Sequence, residues 1–121
     1  MSPQASDVIV IAEAGVNHNG SIARAKKMID VATDAGADFV KFQTFKAEDI
    51  VTESAPKAAY QLEVTDRGES QVEMLRKIEL PEDCYQDLMG SCAELGIEFL
   101  STAYNFSDVD FLVSQGVKAI K

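Results

Sequence analysis

The chain has 121 residues, of which 46% are hydrophobic and 26% are charged, and its formal net charge is −9. This length allows one domain with a hydrophobic core, and the composition is that of a globular rather than a disordered protein. The negative charge repels polyphosphates, so nucleic-acid binding is not expected. No N-terminal apolar run is long enough for a signal peptide or a membrane span, which favours a cytoplasmic protein.

The first part of the chain predicts a strand, a helix and a second strand. Val8–Ala12 is short, β-branched and continuously apolar, as in strands that are buried on both faces. Apolar residues at helical spacing predict a helix over Ser21–Ala35, and Gly36 is placed to end it. Phe39–Thr44 is the second predicted strand, and the polar, irregular stretch Phe45–Glu69 that follows is too long for an ordinary loop, which favours a functional role.

The middle of the chain contains two sequence signals for the start of a helix. Ser70 and Glu73 form a capping-box pattern that predicts a helix through Ile78. Pro81, followed by two acidic residues, predicts the start of another helix that ends at Gly96. Both of the chain's cysteines, Cys84 and Cys92, fall on this helix, and their spacing fits neither a zinc site nor a redox pair. They are interpreted as small helix residues in a reducing compartment.

The last part predicts a third strand, a helix and a fourth strand. Phe99–Ser101 is the third strand, Ser107 with Asp110 opens the helix, Gly116 ends it, and Val117–Lys121 begins the fourth strand. Repeated strand–helix units imply parallel strands. Four such units without a closing element indicate an α/β fold, the N-terminal half of a (β/α)8 TIM barrel, with more protein expected to follow.

A weak internal repeat points to one layer of one site. Three times a helix-ending glycine is followed five residues later by a polar residue, at Lys41, Ser101 and Lys121. In parallel α/β folds the carboxyl ends of the strands carry the chemistry. We therefore expect these three side chains near the same end of the barrel.

Glu13 ends the first predicted strand. Side chains alternate along a strand, so Glu13 shares a face with Ile9 and Ile11, and this face is expected to line the barrel interior. A carboxylate at its top would meet a substrate or a metal-bound water. The alternative is that Glu13 only caps a neighbouring backbone N–H.

Lys41 and Gln43 are expected to share the interior face of the second strand, with Val40 and Phe42 facing the helices. A lysine in a buried strand needs an anionic partner, which is either a bound phosphate or carboxylate or, alternatively, a structural salt bridge. Lys121 has the corresponding place in the fourth strand. Two lysines at one mouth of an acidic protein favour a small anionic ligand.

The Asn17-His18-Asn19-Gly20 segment joins the first strand to its helix. Its residue types suit a tight loop, and the following helix N-terminus attracts anions. Asn17 and His18 are expected to support this loop, and the chain's only histidine is interpreted as a hydrogen-bonding residue rather than a metal ligand. One histidine and scattered acids do not make a metal site.

Three blocks now resemble the sialic acid synthases, which include N-acetylneuraminate, legionaminate and pseudaminate synthases. They are Ile11-Ala-Glu-Ala-Gly-Val-Asn-His-Asn-Gly20, Gly36-Ala-Asp-Phe-Val-Lys-Phe-Gln-Thr-Phe-Lys46 and Gly96-Ile-Glu-Phe-Leu-Ser-Thr102. The resemblance implies that residues 1–121 are the N-terminal part of a TIM-barrel synthase domain. The rest of the barrel and a small C-terminal antifreeze-like domain are absent from this chain. It further implies condensation of phosphoenolpyruvate with an N-acylated amino sugar over manganese or magnesium.

The resemblance also implies residue roles. Lys41, Lys121 and Thr102 look like phosphoenolpyruvate-binding residues, Gln43 is similar to a sugar-contacting glutamine, and Glu13 resembles an acid that handles protons. The family's two metal-binding histidines would lie beyond this chain. Other implications are a homodimer when full length, no nucleic-acid or membrane partner, and an isolated fragment without activity. The stretch containing Ala55-Pro56-Lys57 and Tyr60-Gln61 resembles a variable loop over the mouth.

Other interpretations stay open to different degrees. Another phosphoenolpyruvate-dependent synthase of keto-deoxy sugar acids shares the reaction class, so only substrate tests separate it. A flavodoxin-like phosphoacceptor or binding module needs an acidic pair after the first strand and an aspartate ending the third. Here Glu13 stands alone and the third strand ends in Ser101-Thr102, which argues against it. A purely structural role is disfavoured because the residues of the proposed site are intact.

Overall fold

The structure, a computed structural model, describes residues 8–51, 57–64 and 68–121. Its described strands form one parallel three-stranded sheet in the order β1-β2-β3. The strand bounds are Ile11–Gly15 (β1), Phe39–Thr44 (β2) and Glu98–Ala103 (β3). The parallel α/β architecture predicted from the sequence is therefore present.

Helices precede and follow each of the later strands. The helices are Ile22–Asp34 (α1), Ala47–Ile50 (α2), Ala59–Val64 (α3), Gln71–Ile78 (α4), Tyr85–Leu95 (α5) and Phe106–Gln115 (α6), with a 3-10 turn at Glu82–Cys84. The predicted capping box of α4 is confirmed, because the Ser70 hydroxyl accepts from the Glu73 N–H at 3.2 Å and the Glu73 carboxylate accepts from the Ser70 N–H at 2.9 Å. Within the described ranges, none of the helices has the length and apolar character that crossing a bilayer requires.

The first strand lies three residues later than predicted. Val8–Val10 are exposed and outside the sheet, and pairing begins where Ile11 meets Phe39. Apolar β-branched residues favour a strand, but a strand forms only where a partner offers backbone groups, and β2 begins at Phe39. Before that point Val10 is bound to Asp38, whose carboxylate accepts the Val10 N–H at 2.7 Å.

The box that opens α6 is also displaced. The sequence predicted Ser107 with Asp110, but Asp108 accepts from the N–H of Asn105 at 2.9 Å and α6 starts at Phe106. Both pairs have the spacing of a capping box. The extended conformation of Asn105, φ −129° and ψ 167°, decides between them, since the N-cap residue is non-helical.

The predicted fourth strand is reduced to a bridge. Ile120 forms an isolated bridge opposite Ser101 of β3, Lys121 adds two backbone hydrogen bonds, and the predicted strand Val117–Lys121 does not form as a ladder. The N–H of Val117 is still used to close α6, bonding the Leu112 carbonyl at 3.4 Å. Pairing with β3 can therefore begin only after the helix end has been completed.

The polar stretch between β2 and α4 is not irregular throughout, because it contains α2 and α3. The first N–H of α2, that of Ala47, donates to the Glu79 carboxylate just after α4. Farther along, Glu69 forms ion pairs with Lys57 at 3.0 Å and Lys77 at 2.5 Å, and these hold the pKa of Glu69 below its usual range. Ala55 and Pro56 lie outside the described residues, while Lys57 is buried.

One face of the sheet is covered by helices. Val40, Phe42 and Phe99 are buried on the face that packs against α1, α5 and α6. Cys84 and Cys92 belong to the same core, and burial raises the pKa of Cys84 to about 11 and that of Cys92 to about 12. Both thiols are thus protonated and unreactive at neutral pH, as their structural interpretation requires.

Gly20, at the end of the loop after β1, touches the end of α4. A Cβ there would lie 2.5 Å from the Lys77 carbonyl oxygen, and φ is +75°. We expect Gly20→Ala to lower the free energy of unfolding by about 2–4 kcal/mol, through the left-handed backbone and the clash together. Gly36 is the matched control: its φ is +81° but no atom lies within 4 Å of its Cβ position. Gly36→Ala should cost only about 1 kcal/mol in urea unfolding, and equal losses would contradict the role of the clash.

Candidate active site

The register of the sheet places the predicted site residues on one face at the carboxyl ends of the strands. Glu13 is paired with Lys41, and Gln43 is paired with Thr102. Lys121 bonds the carbonyl of Ser101 at 3.0 Å and the N–H of Ala103 at 3.3 Å, so it lies beside Thr102. Paired residues of parallel strands point to the same side, so this face gathers all five candidates.

Glu13 and Lys41 form an ion pair across β1 and β2. Lys41 Nζ lies 2.9 Å from Glu13 Oε2, with 17% of the lysine side chain and 49% of the glutamate side chain exposed. The structure thus contains the salt bridge that the alternative interpretation of Lys41 predicted. Because Glu13 is half-exposed and Lys41 is nearly buried, the pair opens on one side to the solvent. An anion that enters from that side can contact Lys41 while Glu13 remains bound to it. The salt bridge therefore does not exclude ligand binding by Lys41, which stays a prediction.

Lys41 and Lys121 line one cleft. The cleft has a volume of about 360 Å³, and its other walls are mainly apolar side chains, among them Ile9, Ile11 and Leu100. Ile11 is about half-exposed on this open face of the sheet, on the side that was predicted to line the barrel interior, and Ile9, which precedes β1, is also about half-exposed. Two lysines beside mainly apolar walls give this cleft the kind of cationic groups that bind a small anion.

A β-bulge ends β1 beside this site. The register shifts between Glu13 and Gly15, which leaves Ala14 as the extra residue. Gly15 has φ +56°, and a Cβ there would lie 3.2 Å from Glu13 Oε1 and 3.7 Å from Gln43 Nε2. Bulges are frequent next to active sites because they redirect side chains. Here the glycine keeps open the space between the glutamate and the glutamine.

Tyr104 is part of this face, and sequence reasoning did not single it out. Its hydroxyl donates to Gln43 Oε1 at 2.9 Å, and its ring packs edge-on against Phe45 with centroids 5.6 Å apart. The available signal was alternation, since Tyr104 follows Thr102 by two residues and therefore shares its side of the strand. The polar layer at the mouth thus includes a phenol as well as the predicted residues.

Ser101 does not lie in the layer that the internal repeat predicted. Its partner in the register is Phe42, on the helix side, and it is fully buried. Its hydroxyl bonds the Thr44 hydroxyl at 2.6 Å, and the Thr44 hydroxyl also bonds Tyr85 Oη at 2.7 Å. Burial raises the pKa of Tyr85. The repeat gave the wrong face because β3 is aligned with β2 one residue away from the alignment that the two glycines suggest, so that Lys41 is paired with Leu100. A shift of one residue moves a side chain to the opposite face of the sheet.

His18 is fully buried inside the loop that follows β1. Its Nδ1 accepts the N–H of Gly20 at 2.9 Å, and its ring lies 6.1 Å from that of Phe42. The backbone N–H of the neighbouring, exposed Asn17 donates to the Ala14 carbonyl at 3.2 Å. His18 is therefore the hydrogen-bonding loop residue that its sequence context favoured, and it fixes the turn that begins at the bulge.

The buried His18 predicts an acid-sensitive stability. Burial lowers its pKa in the folded chain, so below about pH 6.5 the unfolded chain binds a proton that the folded chain resists. The free energy of unfolding should fall as the pH drops from 7.5 to 5.5. His18→Asn keeps an acceptor near the Nδ1 position but does not titrate, so its pH slope should be shallower in urea unfolding. Identical slopes in both proteins would contradict the assignment.

The described residues do not provide a metal centre. Across residues 8–51, 57–64 and 68–121, no group of three or more histidine, cysteine, aspartate or glutamate side chains is placed to hold an ion. Glu13 is the acid of the site face, and one of its oxygens is already bound to Lys41. On this face, two lysines and one carboxylate therefore suit an anion better than a metal ion.

The chain is similar in sequence to a known protein family and to curated proteins. The NeuB family model matches residues 28–121. The N,N'-diacetyllegionaminic acid synthases of Campylobacter jejuni and Legionella pneumophila are 47% and 46% identical, each over 93% of this chain. The match spans 34% and 32% of those proteins, so the chain covers about a third of their length.

The fold comparison agrees. The structure of the N-acetylneuraminic acid synthetase of Leptospira borgpetersenii, a complex with citrate, superposes with a TM-score of 0.76 at 25% identity. It covers 98% of this chain and 39% of the other. The prediction of a partial TIM barrel is thereby confirmed. The family match extends over most of the chain and includes Lys41, Gln43, Thr102 and Lys121. The chain therefore belongs to the NeuB family.

Proposed function

We propose that the chain is the N-terminal part of a sialic-acid-type synthase. The enzyme would condense phosphoenolpyruvate with an N-acylated amino sugar to give a nonulosonic acid and inorganic phosphate. The observation that carries the proposal is the pairing of Glu13 with Lys41 at 2.9 Å, in a face that also holds Lys121. A carboxylate and two cations at the carboxyl ends of parallel strands suit an anionic substrate that also needs proton transfer.

Each residue of the face has a part in this reaction. Lys41 and Lys121 would bind the phosphate and carboxylate of phosphoenolpyruvate, and Thr102, in the row beside Lys121, would donate its hydroxyl to the same ligand. Gln43 would contact the sugar. Held in place in this way, the substrates would meet with reduced entropic cost.

The chemical steps balance without any further reactant than water. The methylene carbon of phosphoenolpyruvate forms a bond to the aldehyde carbon of the sugar, whose oxygen gains a proton. Water adds to the electron-poor carbon that carries the phosphate and gives up one proton, which replaces the proton gained by the sugar oxygen. The new hydroxyl then loses its proton as it becomes the ketone carbonyl, and the C–O bond to phosphate breaks. Phosphate leaves with the electron pair of that bond and takes up the second proton. Glu13, half-exposed beside Lys41, is the group that would accept and return these protons.

The relatives favour one class of sugar. The two synthases at 47% and 46% identity are named for N,N'-diacetyllegionaminic acid. The N-acetylneuraminate-9-phosphate synthases of Drosophila melanogaster and mouse are 35% and 34% identical. This order favours a diacetamido-hexose over N-acetylmannosamine as the sugar of this enzyme. A related phosphoenolpyruvate-dependent synthase of other keto-deoxy sugar acids is the second candidate.

The proposal extends to the whole protein. It includes a longer chain that completes the barrel and adds an antifreeze-like domain, a homodimer, and a cytoplasmic location without nucleic-acid or membrane partners. The proposed enzyme would also use manganese or magnesium, which residues outside those described would hold. The isolated 121 residues should be inactive, because they carry only part of the proposed site.

The test is phosphate release by the full-length protein that contains these residues. It would be given phosphoenolpyruvate, manganese, and in turn N-acetylmannosamine, a diacetamido-hexose, arabinose 5-phosphate and erythrose 4-phosphate. Release only with the acylated amino sugars supports the proposal, and the better of the two names the substrate. Release only with the sugar phosphates would select the second candidate instead. Absence of release with every sugar would overturn the proposed function.

A further inference from the structure

Tyr104 holds one arm of the Gln43 amide. A glutamine amide carries an acceptor oxygen on one arm and two N–H donors on the other. Tyr104 donates its hydroxyl to Gln43 Oε1 at 2.9 Å, which occupies the oxygen arm. The tyrosine is itself fixed, because its backbone N–H bonds the Thr44 carbonyl at 3.3 Å and its ring packs against the buried Phe45.

The nitrogen of Gln43 is directed to the other side, towards β1. It lies 3.7 Å from the Cβ position of Gly15, and Glu13 Oε1 lies 3.2 Å from the same position. The amide donors and the glutamate therefore border one small gap, which the absence of a side chain at residue 15 keeps open. A substrate group that fits this gap needs an oxygen that accepts a hydrogen bond from the amide. Next to that oxygen, it needs a hydrogen-bond donor for the carboxylate.

We propose that Tyr104 is a positioning residue that makes Gln43 a hydrogen-bond donor to the sugar substrate. The group it recognises is an uncharged acceptor oxygen, either the carbonyl of an acyl group or a hydroxyl oxygen. The inference rests on the proposed function. It adds Tyr104 to the site and specifies that Gln43 donates, rather than accepts, the hydrogen bond to the sugar. Without the phenol, the amide oxygen loses the partner that it has in the structure, and the amide can turn that oxygen towards the gap, where it repels the acceptor.

The test is Tyr104→Phe in the full-length protein. The substitution keeps the ring that packs on Phe45 and removes only the hydroxyl. We expect the KM for the sugar to rise about three- to tenfold, as one hydrogen bond of about 1 kcal/mol implies. The KM for phosphoenolpyruvate and kcat should stay within about twofold, because Lys41 and Glu13 are unchanged. A residue that only stabilises the fold would not separate the two substrates in this way.

Two further variants sharpen the result. Tyr85→Phe is the matched control: it removes one buried phenol hydrogen bond, to Thr44, from the helix side of the same sheet. It should lower the unfolding temperature without changing the KM for the sugar. In a Gln43→Ala background, Tyr104→Phe should add nothing to the loss of sugar affinity, because the amide that it positions is gone.

The outcomes separate the inference from the function on which it rests. A wild-type enzyme without turnover on any acylated amino sugar overturns both. Turnover by the wild type with an unchanged sugar KM in Tyr104→Phe overturns the inference alone. So does an equal rise in both KM values, or an additive effect of Tyr104→Phe in the Gln43→Ala background.

Discussion

Replacing Lys41 by glutamine in the full-length protein is expected to reduce kcat/KM for phosphoenolpyruvate by about 100-fold or more. Lys41 is mostly buried, with 17% of its side chain exposed, and it lines the cleft shared with Lys121. Removing one partner of a buried charge-assisted contact typically costs about 2–5 kcal/mol. Steady-state kinetics at saturating sugar would show the change mainly as a raised KM for phosphoenolpyruvate.

The matched control for Lys41→Gln is Lys118→Gln. Lys118 also forms an ion pair with a glutamate of the sheet, Glu98, at 2.8 Å, but 75% of its side chain is exposed and it lies at the opposite end of the strands. Exposed pairs contribute little to stability. The control should keep kcat/KM within about twofold. If both variants behaved alike, Lys41 would have only the structural role that its salt bridge with Glu13 permits.

Glu13→Gln should have an effect of similar size but on a different constant. We expect kcat to fall about 100-fold or more, because a positioned acid or base commonly contributes about 10²–10⁴-fold to the rate. The affinity for phosphoenolpyruvate should change in the opposite direction. Glu13 competes with the ligand for Lys41, so its neutral replacement should bind phosphoenolpyruvate about two- to fivefold more tightly, as an ion pair of up to about 1 kcal/mol implies.

Two measurements on Glu13→Gln distinguish these effects. Calorimetric titration with phosphoenolpyruvate in the absence of sugar gives the affinity, and phosphate release gives kcat. Glu98→Gln removes the corresponding carboxylate of the distant Glu98–Lys118 pair and should alter neither constant. A Glu13→Gln enzyme with normal kcat would exclude proton transfer by this residue. Weaker binding of phosphoenolpyruvate would show that Glu13 supports the ligand rather than competing with it.

The sequence predicted element types well and pairing less well. The capping box at Ser70 and the helix ends at Gly96 and Gly116 depend on local bonds and are present. The start of β1 was wrong because it depends on where β2 begins, about 28 residues away along the chain. Pairing partners of a strand are not encoded in its own residues, so its limits cannot be read locally.

The site shows the same division. Alternation along β2 correctly separated Lys41 and Gln43 from Val40 and Phe42. Ser101 was misplaced because the repeat compares positions after each glycine, whereas the face of a residue depends on how neighbouring strands are aligned. Tyr104 was overlooked because its importance comes from one hydrogen bond that joins the ends of two strands. The bulge at Ala14 had one local signal, Gly15 at the end of the strand pattern, which was not used.

The alternation of β2 also affects how the proposed site could acquire a new ligand. Phe39, Lys41 and Gln43 face the open side of the sheet, while Val40, Phe42 and Thr44 are buried among the helices. Substitutions at Phe39 and Gln43 alter what this open side presents without disturbing the packing that holds the strand, whereas a change at Lys41 is expected to cost activity. Natural variation or a directed library could therefore explore ligand preference at these positions, and the intervening residues would keep the scaffold intact while it changed.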